Sequence, residues 1–134
     1  MARTPAEILR DARTIAVVGA SPSPSRSSHG IARRLQAAGY RIVPVRPRDV
    51  DEVLGEPVVE SLAEIPGRVD VVLVFRRPEH APEIGREAVA IGAGALWLQT
   101  GIVSAEARRI AEEAGLDYVE DTCAGVVHSL SLES

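Results

Sequence analysis

The chain has no lysine, because all 15 of its basic residues are arginine. Chemistry that depends on a lysine amine, such as Schiff-base formation or phosphate binding by a P-loop lysine, is therefore excluded. Aromatic residues make up only 3% of the sequence, and the formal net charge is −4. A general nucleic-acid binder needs a basic surface and aromatic stacking residues, so we expect no nucleic acid among the partners.

Cysteines and long apolar segments are also scarce. Cys123 is the one cysteine, which excludes a disulfide within the chain, and the three histidines lack the spacing of a zinc site. We therefore expect no metal. No apolar run approaches the roughly 20 residues of a membrane span, and the N-terminal residues lack the apolar core of a signal peptide. These absences predict a cytoplasmic protein without a membrane partner.

The length and the apolar pattern indicate one domain, 1–134. Hydrophobic residues account for 46% of the chain and charged residues for 25%, as in globular proteins. We predict helices at 5–13, 29–38, 78–91 and 105–114, and strands at 15–18, 41–45, 70–75, 94–99 and 117–120. This alternation predicts an α/β fold: a Rossmann-like, doubly wound parallel sheet of about five strands with helices on both faces.

The segment 46–69 has the least regular pattern. Residues 55–59 read as a short additional strand, and Ser61 and Glu64 have the spacing of a capping box that would open a short helix. Ser27 or Ser28 is expected to cap the helix that follows the first strand.

Ligands of a doubly wound sheet bind beyond the carboxyl ends of its strands. The first strand ends in Gly19, Ala20 and Ser21, a glycine turn suited to holding a diphosphate over the next helix N-terminus. The second strand ends at Arg46 and Arg48, where NAD-binding proteins carry an acidic residue for the ribose hydroxyls. Arginines in its place favour a ribose that carries a phosphate.

Arginines cluster in the loops that follow the strands. The candidates for phosphate binding are Arg26, Arg46 and Arg48, followed by Arg76 and Arg77. Any one of them taken singly reads as a solvated surface arginine, and only their clustering at strand ends points to a ligand. The glycine turn is a partial fingerprint, because the second and third glycines of the dinucleotide motif are missing. From the residues alone we predict a phosphorylated adenine nucleotide.

No catalytic residue can be assigned. Ser21, His29, Cys123 and His128 carry the chemistry of nucleophiles or bases, but no local motif joins any of them to a partner. His29 is expected at a helix start and His128 in a C-terminal tail. The sequence therefore favours binding over turnover by this chain alone.

A set of motifs in this order resembles a known family. They are Gly19-Ala-Ser21 with Ser25-Arg-Ser27, Gly39-Tyr-Arg-Ile-Val-Pro-Val-Arg-Pro47, Val69-Asp-Val-Val-Leu-Val-Phe-Arg76, Leu96-Trp-Leu-Gln-Thr-Gly-Ile102 and Asp121-Thr-Cys123. The chain resembles the small stand-alone CoA-binding proteins, which are similar to the N-terminal CoA-binding domain of the succinyl-CoA synthetase alpha subunit. The resemblance implies a Rossmann-type domain that binds coenzyme A, or an acyl-CoA, through its ADP portion.

The resemblance also implies roles for individual residues. Gly19, Ala20 and Ser21 would face the diphosphate, with Arg26 helping to hold phosphate. The remaining implied contacts are Val45, Arg46, Pro47 and Arg48 at the adenosine and its 3′-phosphate, Phe75 and Arg76 along the adenine or pantetheine path, and Gln99, Thr100 and Gly101 on the pantetheine side.

Two positions depart from the family pattern. Arg46 stands where the family usually has Asn, so it either adds a phosphate contact or turns outward. Val127 stands where a Glu usually precedes His128. Two other functions stay open: an NADP-dependent small oxidoreductase, and a protein-interaction module that kept the fold without the ligand. A homodimer or an unidentified protein partner is also expected.

Overall fold

Strands and helices alternate along the computed structural model, which describes residues 3–132. The helices are α1 (Pro5–Asp11), α2 (Ser27–Ala37), α3 (Ala81–Ala90), α4 (Ala105–Glu113) and α5 (Ala124–Ser131). The strands are β1 (Thr14–Val18), β2 (Arg41–Val45), β3 (Glu52–Val53), β4 (Glu56–Pro57), β5 (Val71–Val74), β6 (Ala95–Leu98) and β7 (Asp117–Val119). Single 3₁₀ turns cover Leu62–Glu64 and Pro78–His80.

Five parallel strands form the main sheet in the order β2-β1-β5-β6-β7. The predicted doubly wound fold is therefore confirmed. The strand order reverses at β1, which has β2 on one side and β5 on the other. This reversal places a crevice at the carboxyl ends of β1 and β5, where ligands of such sheets bind.

Both faces of the sheet are covered, which explains why its strands are continuous apolar runs. Val18, Val45 and Leu98 pack on the side of α3 and α4. Val17 and Trp97 belong to the opposite core, against α1, α2 and α5. Among residues 3–132, every helix is too short or too polar to cross a bilayer.

Three local predictions outside the loop after β1 are wrong. Ser61 makes no capping hydrogen bond, because the Glu64 carboxylate accepts instead from the amide of Glu60, at 3.2 Å. The expected strand at 55–59 is shorter, and β4 pairs with β3 in a small antiparallel hairpin outside the main sheet. His128 belongs to α5 and not to a tail, where its ring lies edge-on to Tyr40 with 5.7 Å between the ring centroids.

Candidate functional site

Gly19 brings two loops together at the carboxyl edge of the sheet. Its φ is +87°, a conformation that favours glycine, and its amide donates to the Val45 carbonyl at 3.0 Å. A Cβ at this position would lie 3.0 Å from Arg76 Cγ and 3.2 Å from the Phe75 carbonyl oxygen. The glycine therefore allows the loop after β1 to contact the loop after β5, directly over the crevice.

Serine side chains organise the loop between β1 and α2. The Ser21 hydroxyl accepts from the Ser23 amide at 3.1 Å, and the hydroxyls of Ser23 and Ser25 lie 2.9 Å apart. The loop leads into α2, whose N-cap is Arg26 and not the predicted serines. Because arginine has no acceptor oxygen in its side chain, the start of this helix is left without a side-chain cap.

Five backbone amides around this loop have no acceptor within residues 3–132. They are the amides of Ala20, Ser21, Ser25, Ser27 and Ser28. By contrast, Thr4 and Ser104 cap α1 and α4 through their side chains. An uncapped helix N-terminus next to further free amides is a favourable place for an anion.

Arg46 connects the glycine turn to the end of β2. Its Nη1 donates to the Ala20 carbonyl at 2.9 Å, and its Nη2 donates to both carboxylate oxygens of Asp49, at 2.9 and 3.1 Å. The side chain is only 18% exposed, so Arg46 does not turn outward. Hydrogen bonding to Arg46 lowers the pKa of Asp49, which keeps this carboxylate charged.

Arg48 points to a different set of groups. Its Nη2 donates to the Glu64 carboxylate at 3.2 Å, and its Nη1 lies 3.9 Å from the Glu60 carboxylate. The side chain is 50% exposed. Exposed pairs of this kind contribute little, so the guanidinium can exchange these carboxylates for another anion at small cost.

Two neighbouring cavities meet at Gly19, Arg46 and Pro47, which line both. The first, of about 750 Å³, lies over the glycine turn and the start of α2, and we call it the loop cleft. Its other lining residues are Ala20, Ser21, Pro22, Ser23, Ser25, Arg26, Ser27, Ser28 and Phe75. The second, of about 330 Å³, lies towards α3, and we call it the α3 cavity. Its other lining residues are Val18, Val45, Glu60, Leu62, Arg76, Ile84 and Glu87.

Most of the predicted site residues therefore come together. Arg26 and Arg76 are exposed, and no carboxylate within residues 3–132 lies within 4 Å of either. Sequence reasoning missed the half-buried Glu87 and, on the same helix, Ile84. The available signal was their spacing: residues three apart in the helix after β5 share the face that borders the crevice.

Arg48, Gln99, Thr100 and Gly101 line neither cavity. Gln99 is 5% exposed, and its Oε1 accepts from the amide of Ala124, the first residue of α5. The Gly101 amide donates to the Asp121 carboxylate at 2.7 Å. These contacts join the loops after β6 and β7, next to the exposed Thr100.

The remaining reactive side chains do not assemble into a cluster. Cys123 is half-buried at the N-cap of α5. Within residues 3–132, no group of three or more His, Cys, Asp or Glu has the arrangement of a metal site. Neither cavity is lined by a described histidine or cysteine.

Comparison with known proteins agrees with this geometry. A family model described as a CoA binding domain matches residues 13–129. The uncharacterized protein YneT of Bacillus subtilis is 42% identical over 125 residues, which cover 93% of this chain and 92% of YneT. A hypothetical protein from Pyrococcus horikoshii has a similar structure, with a TM-score of 0.91 at 34% identity, covering 97% of this chain and 93% of that one.

A larger relative links the fold to CoA chemistry. An ADP-forming acetate–CoA ligase of Archaeoglobus fulgidus is 30% identical over 129 residues, which cover 87% of this chain but only 18% of the ligase. The predicted resemblance to CoA-binding proteins related to the synthetases is confirmed. The chain belongs to the CoA-binding domain family.

Proposed function

We propose that this protein binds coenzyme A, or an acyl-CoA, through its ADP and 3′-phosphate portion. The observation that carries the proposal is the loop cleft, in which a glycine turn and an uncapped helix start offer backbone amides without acceptors. Such amides suit a diphosphate, and the chain's family is the CoA-binding domain family.

The charges around the cleft support a ligand with phosphates in more than one place. Arg26 borders the amides at the start of α2, where the diphosphate would lie. Arg48 follows β2, on the ribose side of the site, where a 3′-phosphate would replace its exposed glutamate partners. Val45 and Pro47 would border the adenosine between these two anions.

The pantetheine arm would leave the cleft towards the remaining loops. Phe75 lines the loop cleft and Arg76 the α3 cavity, so they would flank the adenine or the start of the pantetheine path. Thr100 and Gly101 lie in the loop after β6, at the same edge of the sheet. Gln99 would act by holding α5 and not by touching the ligand, because its side-chain oxygen is already bound to the Ala124 amide.

We infer that the domain binds and does not turn over its ligand. Serine hydroxyls line the loop cleft, but neither cavity is lined by a described histidine or cysteine that could activate them. A regulatory or carrier role agrees with this lining. A test is to incubate the protein with acetyl-CoA and measure free thiol, which should stay at the level of the buffer.

The test of the ligand is thermal unfolding with CoA, 3′-dephospho-CoA, NADP and NAD in parallel. A ligand at 100 times its Kd adds about 2.7 kcal/mol, which raises the midpoint by several degrees for a domain of this size. We expect a shift with CoA that shrinks without the 3′-phosphate. A shift with NADP alone would instead support an oxidoreductase, and no shift with any of the four would favour a protein-interaction module.

The Arg48→Ala variant tests the 3′-phosphate contact. It should weaken CoA binding but leave 3′-dephospho-CoA binding unchanged, because only the former ligand carries the phosphate that Arg48 would hold. Arg41→Ala is the matched control, since Arg41 is exposed at the opposite end of β2. Equal affinity of Arg48→Ala and wild type for CoA would contradict this contact.

A homodimer stays a prediction, which sedimentation with and without CoA can test.

A further inference from the structure

The α3 cavity has the lining of a site for a mostly apolar group. Val18, Val45, Leu62 and Ile84 supply its apolar lining, from two strands, a 3₁₀ turn and a helix. It shares Gly19, Arg46 and Pro47 with the loop cleft. A nucleotide whose diphosphate occupies the cleft therefore has a place for its base next to the end of β2, the ribose side of a βαβ unit.

The charged side chains that line this cavity are two carboxylates and two guanidiniums: Glu60, Glu87, Arg46 and Arg76. Arg46 is already bound to the Ala20 carbonyl and to Asp49. Glu60 is exposed, its amide is bound to the Glu64 carboxylate, and its carboxylate lies 3.9 Å from Arg48. Glu60 therefore belongs to the ion-pair group at the surface.

Glu87 differs from Glu60 in each of these respects. It is half-buried on α3, one turn after Ile84, and its carboxylate has no ion pair or hydrogen bond within residues 3–132. Burial raises the pKa of Glu87, and the nearby Glu83 charge adds to this effect while Arg76 opposes it. A partly desolvated carboxylate without a partner gains more from a new hydrogen-bond donor than a solvated one.

Resting on the proposed function, we propose that Glu87 selects adenine as the base of the bound nucleotide. The exocyclic amino group of adenine is a donor that a carboxylate accepts, whereas hypoxanthine and guanine present a keto oxygen at the same ring position. Two acceptors would then face each other in a partly desolvated cavity, and the mismatch would cost affinity. Glu87 is thus assigned as a specificity-determining residue.

The test compares the Kd of CoA with that of deamino-CoA, in which hypoxanthine replaces adenine, for the wild type and for Glu87→Gln. We expect the wild type to prefer CoA by about tenfold or more, because the lost hydrogen bond involves a charged group. Glutamine carries both a donor and an acceptor, so Glu87→Gln should bind the two ligands within about twofold of each other.

Glu83→Gln is the matched control. It changes the same charge on the same helix, but Glu83 is exposed, pairs with Arg86 at 3.2 Å and does not line the cavity. It should keep the preference of the wild type.

The possible outcomes separate the two proposals. Failure of the wild type to bind CoA would overturn the proposed function, and this inference with it. Equal binding of CoA and deamino-CoA by the wild type would overturn the inference alone, and this measurement needs no variant. A preference that survives in Glu87→Gln would overturn the assignment to Glu87.

Discussion

The amino ends of the strands in the main sheet form one edge, the amino edge, and their carboxyl ends form the other, the carboxyl edge. The two edges use the same kinds of groups for different purposes. At the amino edge, the Asp70 carboxylate accepts from the amides of Arg13 and Thr14, both at 3.0 Å, and from Arg68 at 2.9 Å. At the carboxyl edge, Ala20 and its neighbours leave amides without acceptors among the described residues. One edge satisfies its backbone internally, whereas the other keeps it available to a ligand.

Glycines show the same difference. At the amino edge, a Cβ on Gly94 would lie 2.8 Å from the Asp70 carbonyl oxygen, closer than real Cβ contacts. At the carboxyl edge, Gly19 approaches a flexible arginine side chain as well as backbone. The contacts at the amino edge therefore serve stability, whereas the free amides and arginines at the carboxyl edge suit the ligand that we propose.

Gly94→Ala should have the largest effect. The new Cβ meets a backbone oxygen, so β5 and the turn before β6 must move apart, at a cost of about 3 kcal/mol in the free energy of unfolding. Urea unfolding measures this cost. Gly30→Ala is the control, because a Cβ there has open space in α2 and should be neutral or stabilising. Equal stability of the two variants would contradict the tight approach at the amino edge.

Asp70→Ala should destabilise the protein by about 1–2 kcal/mol at pH 7, allowing for solvent screening, and leave CoA affinity unchanged. Partial burial raises the pKa of Asp70, but hydrogen bonds from the two amides and from Arg68 outweigh this effect, so that the pKa is lowered overall. The stabilisation should therefore be full above the unfolded-state pKa of about 3.9 and be lost as the pH falls through the lower folded-state value.

The measurement for Asp70 is the free energy of unfolding of the wild type and of Asp70→Ala between pH 7 and pH 2. The difference between the two proteins should shrink below about pH 4. A difference that grows on acidification would mean that the folded-state pKa is raised instead.

Gly19→Ala should lower CoA affinity by about tenfold, or about 1.4 kcal/mol, because its side chain pushes the loop after β5 away from the glycine turn. Its positive φ adds a cost in stability of about 1–2 kcal/mol. Gly39→Ala separates the two effects, since Gly39 has a φ of +106° but open space around it. The control should lose stability in urea unfolding but keep its affinity for CoA in titration calorimetry. The same loss of affinity in both variants would mean that strain alone is responsible.

Asp49→Asn should have the smallest effect, a gain of about two- to fivefold in CoA affinity, because a neutral partner competes less with phosphate for Arg46. The gain should fall as salt is raised. Glu112→Gln, which weakens the exposed Arg108 pair on α4, is the control and should leave affinity unchanged. Weaker binding by Asp49→Asn would mean that Asp49 positions Arg46 for the ligand.

The elements could be predicted because their causes are local. β5 is apolar throughout and β1 is apolar from Ile15 onward, and such runs are typical of strands buried between two helical layers. Ser104 caps α4 through its side chain, and such a cap acts within one turn of the chain. The prediction of a capping box at Ser61 was wrong because the Glu64 carboxylate accepts hydrogen bonds from the Glu60 amide and from Arg48. The spacing of Ser61 and Glu64 does not reveal these competing donors.

The alternation of strands and helices, the two-sided core and the edge at which a ligand would bind all follow from the order of residues, through hydrophobic periodicity and the handed connections of parallel strands. The groups that meet at this edge depend instead on how the chain packs. Arg46 lies between Ala20 and Asp49, and Glu87 borders the α3 cavity from a distant helix. Hydrogen bonds and ion pairs act over a few ångströms, so they depend on how separate segments pack and not on their order along the chain.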